Sequence, residues 1–184
     1  MSNSAERRAK QTIRNLIFSM LATLGVVALI YLGVPRDDSS LLQRIDYVSV
    51  SQEAEASLGL EVIAPQIPSD WWSNAARVEK QLGLDAWYVG FVTGDNEFLG
   101  LNQTFASNPS WEADFLAGNK LSGSELVGVL SWELYPTKMP SDPPGTKEFA
   151  MLHRAENFTV VIYGTAEKAD FLLLAEAISK QLGN

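Results

Sequence analysis

The sequence predicts an α+β protein in which one N-terminal transmembrane helix is followed by an antiparallel β-sheet domain with two helices packed on it. Three observations lead to this prediction. Residues 15–34 are apolar and uncharged, residues 86–105 have the composition of two strands joined by a turn, and residues 167–182 have the periodicity of an amphipathic helix. We expect the helices of the domain to lie on one face of the sheet.

The uncharged run at residues 15–34 has the length of a membrane span. As a helix it reaches about 30 Å, which is the hydrocarbon thickness of a bilayer. Arg7, Arg8, Lys10 and Arg14 precede it, and such a positive flank stays in the cytoplasm. A cleavable signal peptide is less favoured, because its apolar core is usually about 7–15 residues long and a small-x-small site follows it. We therefore expect a retained single-pass anchor in the plasma membrane.

The anchor divides the chain into parts with different surroundings. Pro35 ends the membrane helix, because proline cannot continue it. The expected parts are a cytoplasmic tail (1–14), the transmembrane helix (15–34), a stalk or linker (35–57) and an extracytoplasmic α+β domain (58–184).

Turn residues divide the first half of the outer domain into short elements. A short helix with Ser51 as its N-cap is expected to end at Gly59. Runs of β-branched and aromatic residues then predict four strands: Leu60–Ala64, Trp71–Lys80, Ala86–Thr93 and Glu97–Phe105. The turn at Gly94-Asp95-Asn96 joins the last two strands into a hairpin.

The second half of the domain begins with a helix signal, Asn108 as N-cap and Pro109 at the first helical position. A single strand is expected over Leu126–Tyr135. A second hairpin then pairs Glu148–His153 with Phe158–Tyr163.

The last helix is the clearest element of the outer domain. It is expected over Glu167–Leu182, with Thr165 as its cap and Gly183 after its end. Its apolar residues recur at helical spacing and form one stripe: Phe171, Leu174, Ala175, Ile178 and Leu182. Such a stripe predicts that the helix buries one side against the sheet.

The charges are divided unevenly along the chain. The tail 1–14 has a net charge of +3, whereas the chain after the anchor has 10 basic and 21 acidic residues and a net charge of −11. An acidic domain is a poor partner for nucleic acid, whose phosphates require Lys and Arg. The chain also has no cysteine, which excludes disulfides, Cys-ligated zinc and iron–sulfur clusters.

The residues that usually carry catalysis are scarce. His153 is the single histidine, and the chain has neither the Gly-x-Ser-x-Gly motif of a nucleophile elbow nor the Gly-x-Gly-x-x-Gly motif of a nucleotide-binding turn. Acidic pairs such as Glu112 with Asp114 are expected by chance in so acidic a domain. We therefore predict no catalytic residues, no cofactor and no metal site.

Two groups of residues are candidates for contacts with a partner. Small residues recur every three positions in the span, at Ser19, Ala22, Gly25 and Ala28, and such a track lets another helix approach closely. The alternative is that small residues are simply common in membrane helices. Trp71 and Trp72 are the second group, because adjacent strand residues face opposite ways and one of the two must point away from the buried side.

Several motifs occur together with the basic tail and the apolar run. They are Pro65-x-x-Pro68-x-x-Trp71, the segment WYVGFVT at 87–93 and the segment FTVVIYGTA at 158–166. In this combination the chain resembles the actinobacterial membrane-anchored family catalogued as domain of unknown function 4245. The resemblance covers nearly the whole chain and implies an actinobacterial source. It implies no catalytic residue, because the motifs are strands with their turns.

These observations predict a non-catalytic accessory subunit of a larger integral membrane protein complex. The lipid bilayer is contacted through residues 15–34, the N-terminus is cytoplasmic, and nucleic acid is not a partner. By analogy, the actinobacterial cytochrome bcc–aa3 respiratory supercomplex is a candidate complex. The alternative is an anchored extracytoplasmic module that binds lipid or glycan, with tryptophans lining its pocket.

Overall fold

We analysed the protein in a computed structural model, which describes residues 13–27, 43–116, 118–136 and 147–183. The chain divides into two compact units, residues 1–41 and 42–184. In the first unit, residues 13–27 form a helix, α1. No helix among the described residues has both the length and the apolar character that a bilayer crossing requires. Residues 28–34 of the predicted span 15–34 lie outside the described residues.

The second unit is an α+β domain built on one seven-stranded antiparallel sheet, which confirms the predicted fold class for this part of the chain. The strands lie in the order β1-β2-β3-β7-β6-β5-β4. Two predicted hairpins are confirmed, as β2-β3 and β6-β7. The elements are α2 (Tyr47–Leu58), β1 (Trp72–Gln81), β2 (Leu84–Val92), β3 (Phe98–Thr104), α3 (Pro109–Leu116), β4 (Gly123–Val127), β5 (Leu130–Pro136), β6 (Phe149–Arg154), β7 (Thr159–Gly164) and α4 (Lys168–Leu182).

Helices cover both faces of the sheet, so the expectation of two helices on one face is wrong. Face A, which carries Trp87 and Ile162, is covered by α2 and α4. Face B carries Leu152 and Val161, and α3 packs on it through Trp111. The reason is visible in β6 and β7, where consecutive residues are apolar. Such runs are typical of strands that are buried on both sides.

Helix α2 begins before Ser51, the residue predicted as its cap. Asp46 is the N-cap, and its carboxylate accepts hydrogen bonds from the Ser49 N–H at 3.3 Å and from the Ser49 hydroxyl at 2.7 Å. Ser51 is instead buried inside the helix. Most of α2 falls within the predicted linker, residues 35–57, yet its Ala54 is buried in the core of the domain.

Among the described residues, Leu60–Ala64, which was predicted as a strand, has no strand partner. Its main chain is bound by side chains instead. The Trp87 Nε1–H donates to the Ile63 carbonyl at 2.9 Å, and the Ile63 N–H donates to Gln103 Oε1 at 2.7 Å. These bonds take the place of a strand ladder.

Leu126–Tyr135, predicted as one strand, is a hairpin of β4 and β5. Gly128 has φ +61°, a left-handed conformation that suits a tight turn, and Val129 completes the turn. The turn is fixed on α4, because the Val129 N–H donates to Ser179 Oγ at 2.8 Å. The prediction was wrong because one glycine in an otherwise apolar run is a weak turn signal.

The two remaining helices begin in different ways. Asn108 caps α3 as predicted, and its Oδ1 accepts two main-chain N–H groups at 3.0 Å. Thr165 does not cap α4; Glu167 holds that position without a capping bond, and the Thr165 hydroxyl donates to Glu97 at 2.7 Å. The predicted stripe of α4 is confirmed by four buried residues, Phe171, Leu174, Ala175 and Ile178, with Leu182 half-buried at its end.

Candidate functional site

The residues predicted as a helix-packing track lie in the first unit. Ser19, Ala22 and Gly25 belong to α1, and their side-chain positions are exposed. Ala28 lies outside the described residues. Contact of this track with another helix stays a prediction.

Trp71 and Trp72 differ in burial, and only Trp72 belongs to strand β1. Trp71 is 6% exposed and belongs to the core on face A. Trp72 is half-buried, and the guanidinium of Arg44 lies 5.6 Å from its ring centroid. Of the two, Trp72 therefore keeps the accessible ring.

The ring of His153 contacts a main-chain carbonyl and two aromatic side chains. Its Nδ1 lies 2.9 Å from the carbonyl oxygen of Ser131. Its ring lies 5.7 Å from Trp132 and 6.3 Å from Phe158, between centroids. In the part of the chain that the structure describes, no group of three His, Asp or Glu side chains could hold a metal ion.

The candidate site is a groove between α4 and the extended segment Ala64–Pro68, which we call the α4 groove. Its volume is about 630 Å³. One wall is the segment, with Ile67 and Pro68, and the other is the outer side of α4, with Leu173 and Ala177. The groove therefore has apolar side chains on both walls.

The wall formed by the extended segment is held in place by hydrogen bonds from distant parts of the chain. Gln181 of α4 accepts a hydrogen bond from the Ala64 N–H at 3.0 Å and donates to the Val62 carbonyl at 3.2 Å. The Tyr47 hydroxyl donates to the Pro65 carbonyl at 2.6 Å, and burial raises the pKa of this tyrosine. These bonds organise the groove before anything binds.

The wall formed by α4 lies off the buried stripe of the helix. Leu173 is 47% exposed, although its neighbours Leu174 and Phe171 are buried in the core. Glu176 and Lys180 also line the groove and form an ion pair with each other at 2.8 Å. The charges at this end of the groove are therefore balanced.

The opposite end of the groove approaches five carboxylates, which we call the acidic cluster: Asp70, Asp95, Glu97, Glu167 and Asp170. Asp70 follows the groove residue Pro68 by two positions, and its side chain lies against Gly94 in the β2-β3 turn. Asp170 lies one helical turn before Leu173. The cluster is therefore assembled from three separate regions of the chain.

Within the acidic cluster, the ionised form of Asp170 is electrostatically unfavourable. Burial raises the pKa of Asp170, and the negative charges of Asp95, Glu167, Asp70 and Glu97 raise it further. Among the described residues, no Lys or Arg forms an ion pair with any of the five carboxylates. A cation at this place would relieve the repulsion.

A second polar region, which we call the tyrosine cluster, lies on face B over β2, β3 and β7. The Nδ2 of Asn102 donates to the Tyr163 hydroxyl at 3.3 Å, and the guanidinium of Arg77 lies 4.4 Å from the ring centroid of Tyr88. Burial is the main cause of a raised pKa at both tyrosines. The Tyr163 ring lies against Gly100, where a side chain would leave no room for it. Asn102 and Tyr163 are buried, Tyr88 is half-buried, and the exposed Arg77 covers the Tyr88 ring, so the cluster has no open groove comparable to the one at α4 among the described residues.

A family model, described as protein of unknown function (DUF4245), matches residues 8–178 of the chain. The chain belongs to this family. The resemblance noted in the sequence is thus confirmed at the level of the DUF4245 family. No curated protein and no solved structure matches the chain significantly.

The α4 groove was missed in the sequence of this DUF4245 protein. The sequence shows residues 65–68 only as part of the motif Pro65-x-x-Pro68-x-x-Trp71, and nothing in it places them beside a helix more than 100 residues later. One signal was present: Leu173 is a large apolar residue outside the core stripe of α4. An exposed leucine on an amphipathic helix is a weak signal by itself, because isolated surface leucines are common.

Proposed function

We propose that the protein is a membrane-anchored, non-catalytic accessory subunit of a larger membrane protein complex. The α4 groove carries the proposal. The groove has exposed apolar walls, and its neighbourhood includes five carboxylates without a basic partner among the described residues. A surface of this kind suits a segment of another protein, which would cover the apolar walls and neutralise charge.

The proposed anchor is the apolar run 15–34, with the N-terminus cytoplasmic and the α+β domain extracytoplasmic at the plasma membrane. It is supported by the uncharged composition of the run and by the basic residues before it. Protease added to intact spheroplasts should remove the α+β domain and leave the tail protected. A mature protein that is soluble and begins after Val34 would contradict this topology.

Purification of the tagged full-length protein in mild detergent tests the role in a complex. We expect stoichiometric co-purification of integral membrane proteins. Gly25→Leu should reduce it, because the added side chain would block close helix approach. Val26→Leu, which adds one methylene at the next position, is the matched control. Isolation of the wild-type protein without any stoichiometric partner would contradict the proposal.

The actinobacterial cytochrome bcc–aa3 supercomplex is the candidate partner that we propose to test first. Its electron transfer takes place on the outer face of the membrane, where an acidic domain would change the local potential. Haem absorbance in the purified fraction would support this partner. A stoichiometric complex without haem would point to another envelope assembly.

A second candidate function is an anchored module that binds a lipid or a glycan. One observation favours it: the volume of the α4 groove, about 630 Å³, lies within the range of small-molecule sites, roughly 300–1,000 Å³. Native mass spectrometry of the purified protein distinguishes the two functions. A retained small molecule on a free monomer supports the module.

A further inference from the structure

We propose that the α4 groove binds an extended peptide segment of the partner, in which a run of apolar residues has Lys or Arg at one end. The apolar residues lie between Ile67 and Leu173, and the basic end lies at the acidic cluster. This inference rests on the proposed function, since it names the chemistry of the partner at the same groove.

The apolar part follows from the walls of the groove. Leu173 is 47% exposed, and Ile67 and Pro68 face it from the extended segment. Covering these side chains removes apolar surface from water, at about 25 cal/mol per Å². The hydrogen bonds that Gln181 and Tyr47 make to the segment hold this wall in place, so little ordering is required on binding.

The position of the peptide's basic end follows from the charges along α4. Asp170 of the acidic cluster lies one turn before Leu173, and Lys180 lies two turns after it. Lys180 is already paired with Glu176, so the unbalanced charge is at the Asp170 end only. A basic side chain there lies near Asp170, on which the charges of four other carboxylates act, and none of the five has an ion pair among the described residues.

The extended form of the peptide follows from the segment wall. Gln66 is exposed in the middle of this wall, and its main-chain N–H and C=O have no hydrogen-bond partner among the described residues. Pro65 and Pro68 on either side have no N–H to offer. A strand laid beside Gln66 pairs with these two groups, as in β-strand addition.

The same charges make other occupants less suitable. An anionic lipid headgroup would be repelled by the acidic cluster. A second copy of the domain would bring its own negative charge, because the chain after the anchor has a net charge of −11. The basic and apolar peptide is the occupant that matches both the walls and the charges.

Fluorescence anisotropy with labelled probe peptides tests the inference on the full-length protein in detergent. The probe has the sequence LVLALKK, and the matched probe is LVLALEE. We expect LVLALKK to bind at least about tenfold more tightly than LVLALEE at low ionic strength. Its affinity should fall as salt screens the charges, with a Debye length near 10 Å at about 0.1 M. Equal binding of LVLALKK and LVLALEE would overturn the assignment of the basic end.

Two variants locate the binding. Leu173→Glu should abolish binding of LVLALKK, whereas Leu126→Glu should leave it unchanged, because Leu126 is a 72% exposed leucine on edge strand β4, outside the groove. Asp95→Asn should weaken binding at low salt, and the exposed Glu53 of α2 gives the charge-matched control Glu53→Gln. Equal binding to wild type and Leu173→Glu would overturn the inference. Vesicles of phosphatidylglycerol should not bind, and vesicle binding lost in Leu173→Glu would assign the groove to lipid instead.

The failure of this inference can be distinguished from failure of the proposed function. A stoichiometric complex that Leu173→Glu leaves intact, together with no binding of LVLALKK, keeps the accessory-subunit function and removes the groove from it. Specific binding of LVLALKK by a protein that purifies without partners keeps the groove as a peptide site and contradicts the accessory-subunit function.

Discussion

The two faces of the sheet are covered by different chemistry. Face A is packed with large apolar side chains from the strands, α2 and α4, among them Trp87, Phe91 and Phe171. Face B has a smaller apolar cluster under α3, and beside it the polar tyrosine cluster with Asn102. Ion pairs from Arg154 to Glu112 and Glu133 connect α3 to the strands at 2.7 Å.

This difference indicates how each face contributes to the fold. Burial of apolar surface stabilises face A in proportion to the area removed from water. Face B depends more on hydrogen bonds and charges. Each such interaction adds little net stability when both partners are present, but losing one partner leaves a buried polar group unpaired, which is costly. The candidate groove lies on the outer side of the layer over face A, so its supporting framework is the more apolar half of the domain.

The largest expected effect is on face A. Phe171→Ala should lower the free energy of unfolding by about 3–5 kcal/mol, because the ring is fully buried and packs edge-on against Phe149 with centroids 4.8 Å apart. Phe115→Ala is the matched change on face B, where α3 has only eight residues and can move into the cavity. We expect its cost to be smaller. Urea denaturation measures both, and a larger loss for Phe115→Ala would reverse the comparison of the two faces.

Two tryptophans allow the stability contributed by a hydrogen bond to be measured apart from that contributed by burial. Trp87 and Trp111 are both fully buried, but the Trp87 Nε1–H donates to the Ile63 carbonyl, whereas the Trp111 Nε1–H has no partner among the described residues. Trp87→Phe leaves that carbonyl unpaired and should cost about 1–3 kcal/mol more than Trp111→Phe. Equal costs in urea denaturation would show that the Ile63 bond does not stabilise the segment.

The sequence predicted the parts of the fold that depend on neighbouring residues. The turn at 94–96 specifies the β2-β3 hairpin, and the Asn108-Pro109 signal specifies the start of α3. The errors occurred where distant side chains decide the structure. Residues 60–64 are extended like a strand, but their partners are Gln103 and Gln181, and no local pattern identifies those.

The candidate site was not predictable for the same reason. Its walls, residues 64–68 and residues 173–181, are far apart in the sequence and are joined by hydrogen bonds of Gln181 that no local pattern predicts. The acidic cluster likewise combines a loop, a β-turn and a helix terminus. Composition revealed that the domain is acidic, but the position of the unpaired carboxylates depends on tertiary structure.

A smaller effect is expected from the glycines that face each other on face B. A Cβ at Gly100 would lie 2.7 Å from the Tyr163 ring, which is held by surrounding side chains. A Cβ at Gly90 would meet the ends of two flexible side chains, Asn74 and Tyr88. We expect Gly100→Ala to cost about 1–3 kcal/mol and Gly90→Ala less, as measured by thermal unfolding. The opposite order would show that Tyr163 moves more easily than its packing suggests.

The smallest effects concern two carboxylates whose pKa values are shifted in opposite directions from their ordinary values. Burial acts to raise the pKa of Glu133, but hydrogen bonds from Tyr135 and Arg154 and the charge of Arg154 lower it overall. Its stabilising contribution is therefore present above the pKa of the unfolded chain and is lost as pH falls through the folded pKa. For Asp170 the pKa is raised, so the folded state binds the proton more tightly than the unfolded chain does. Stability therefore falls as pH rises from the pKa of the unfolded chain to the higher pKa of the folded state.

Single substitutions should remove these two shifts separately. Asp95→Asn takes away one of the charges that act on Asp170, so the pKa of Asp170 should move down toward its ordinary value. Arg154→Met should move the pKa of Glu133 up, because the cation that stabilises its ionised form is lost. NMR titration of the side-chain carboxyl signals measures both, and Asp85→Asn near the start of β2 is the control that should change neither. If Asp95→Asn left the pKa of Asp170 unchanged, the acidic cluster would not act as a unit, and the charge at that end of the groove would be too dispersed to select a basic partner.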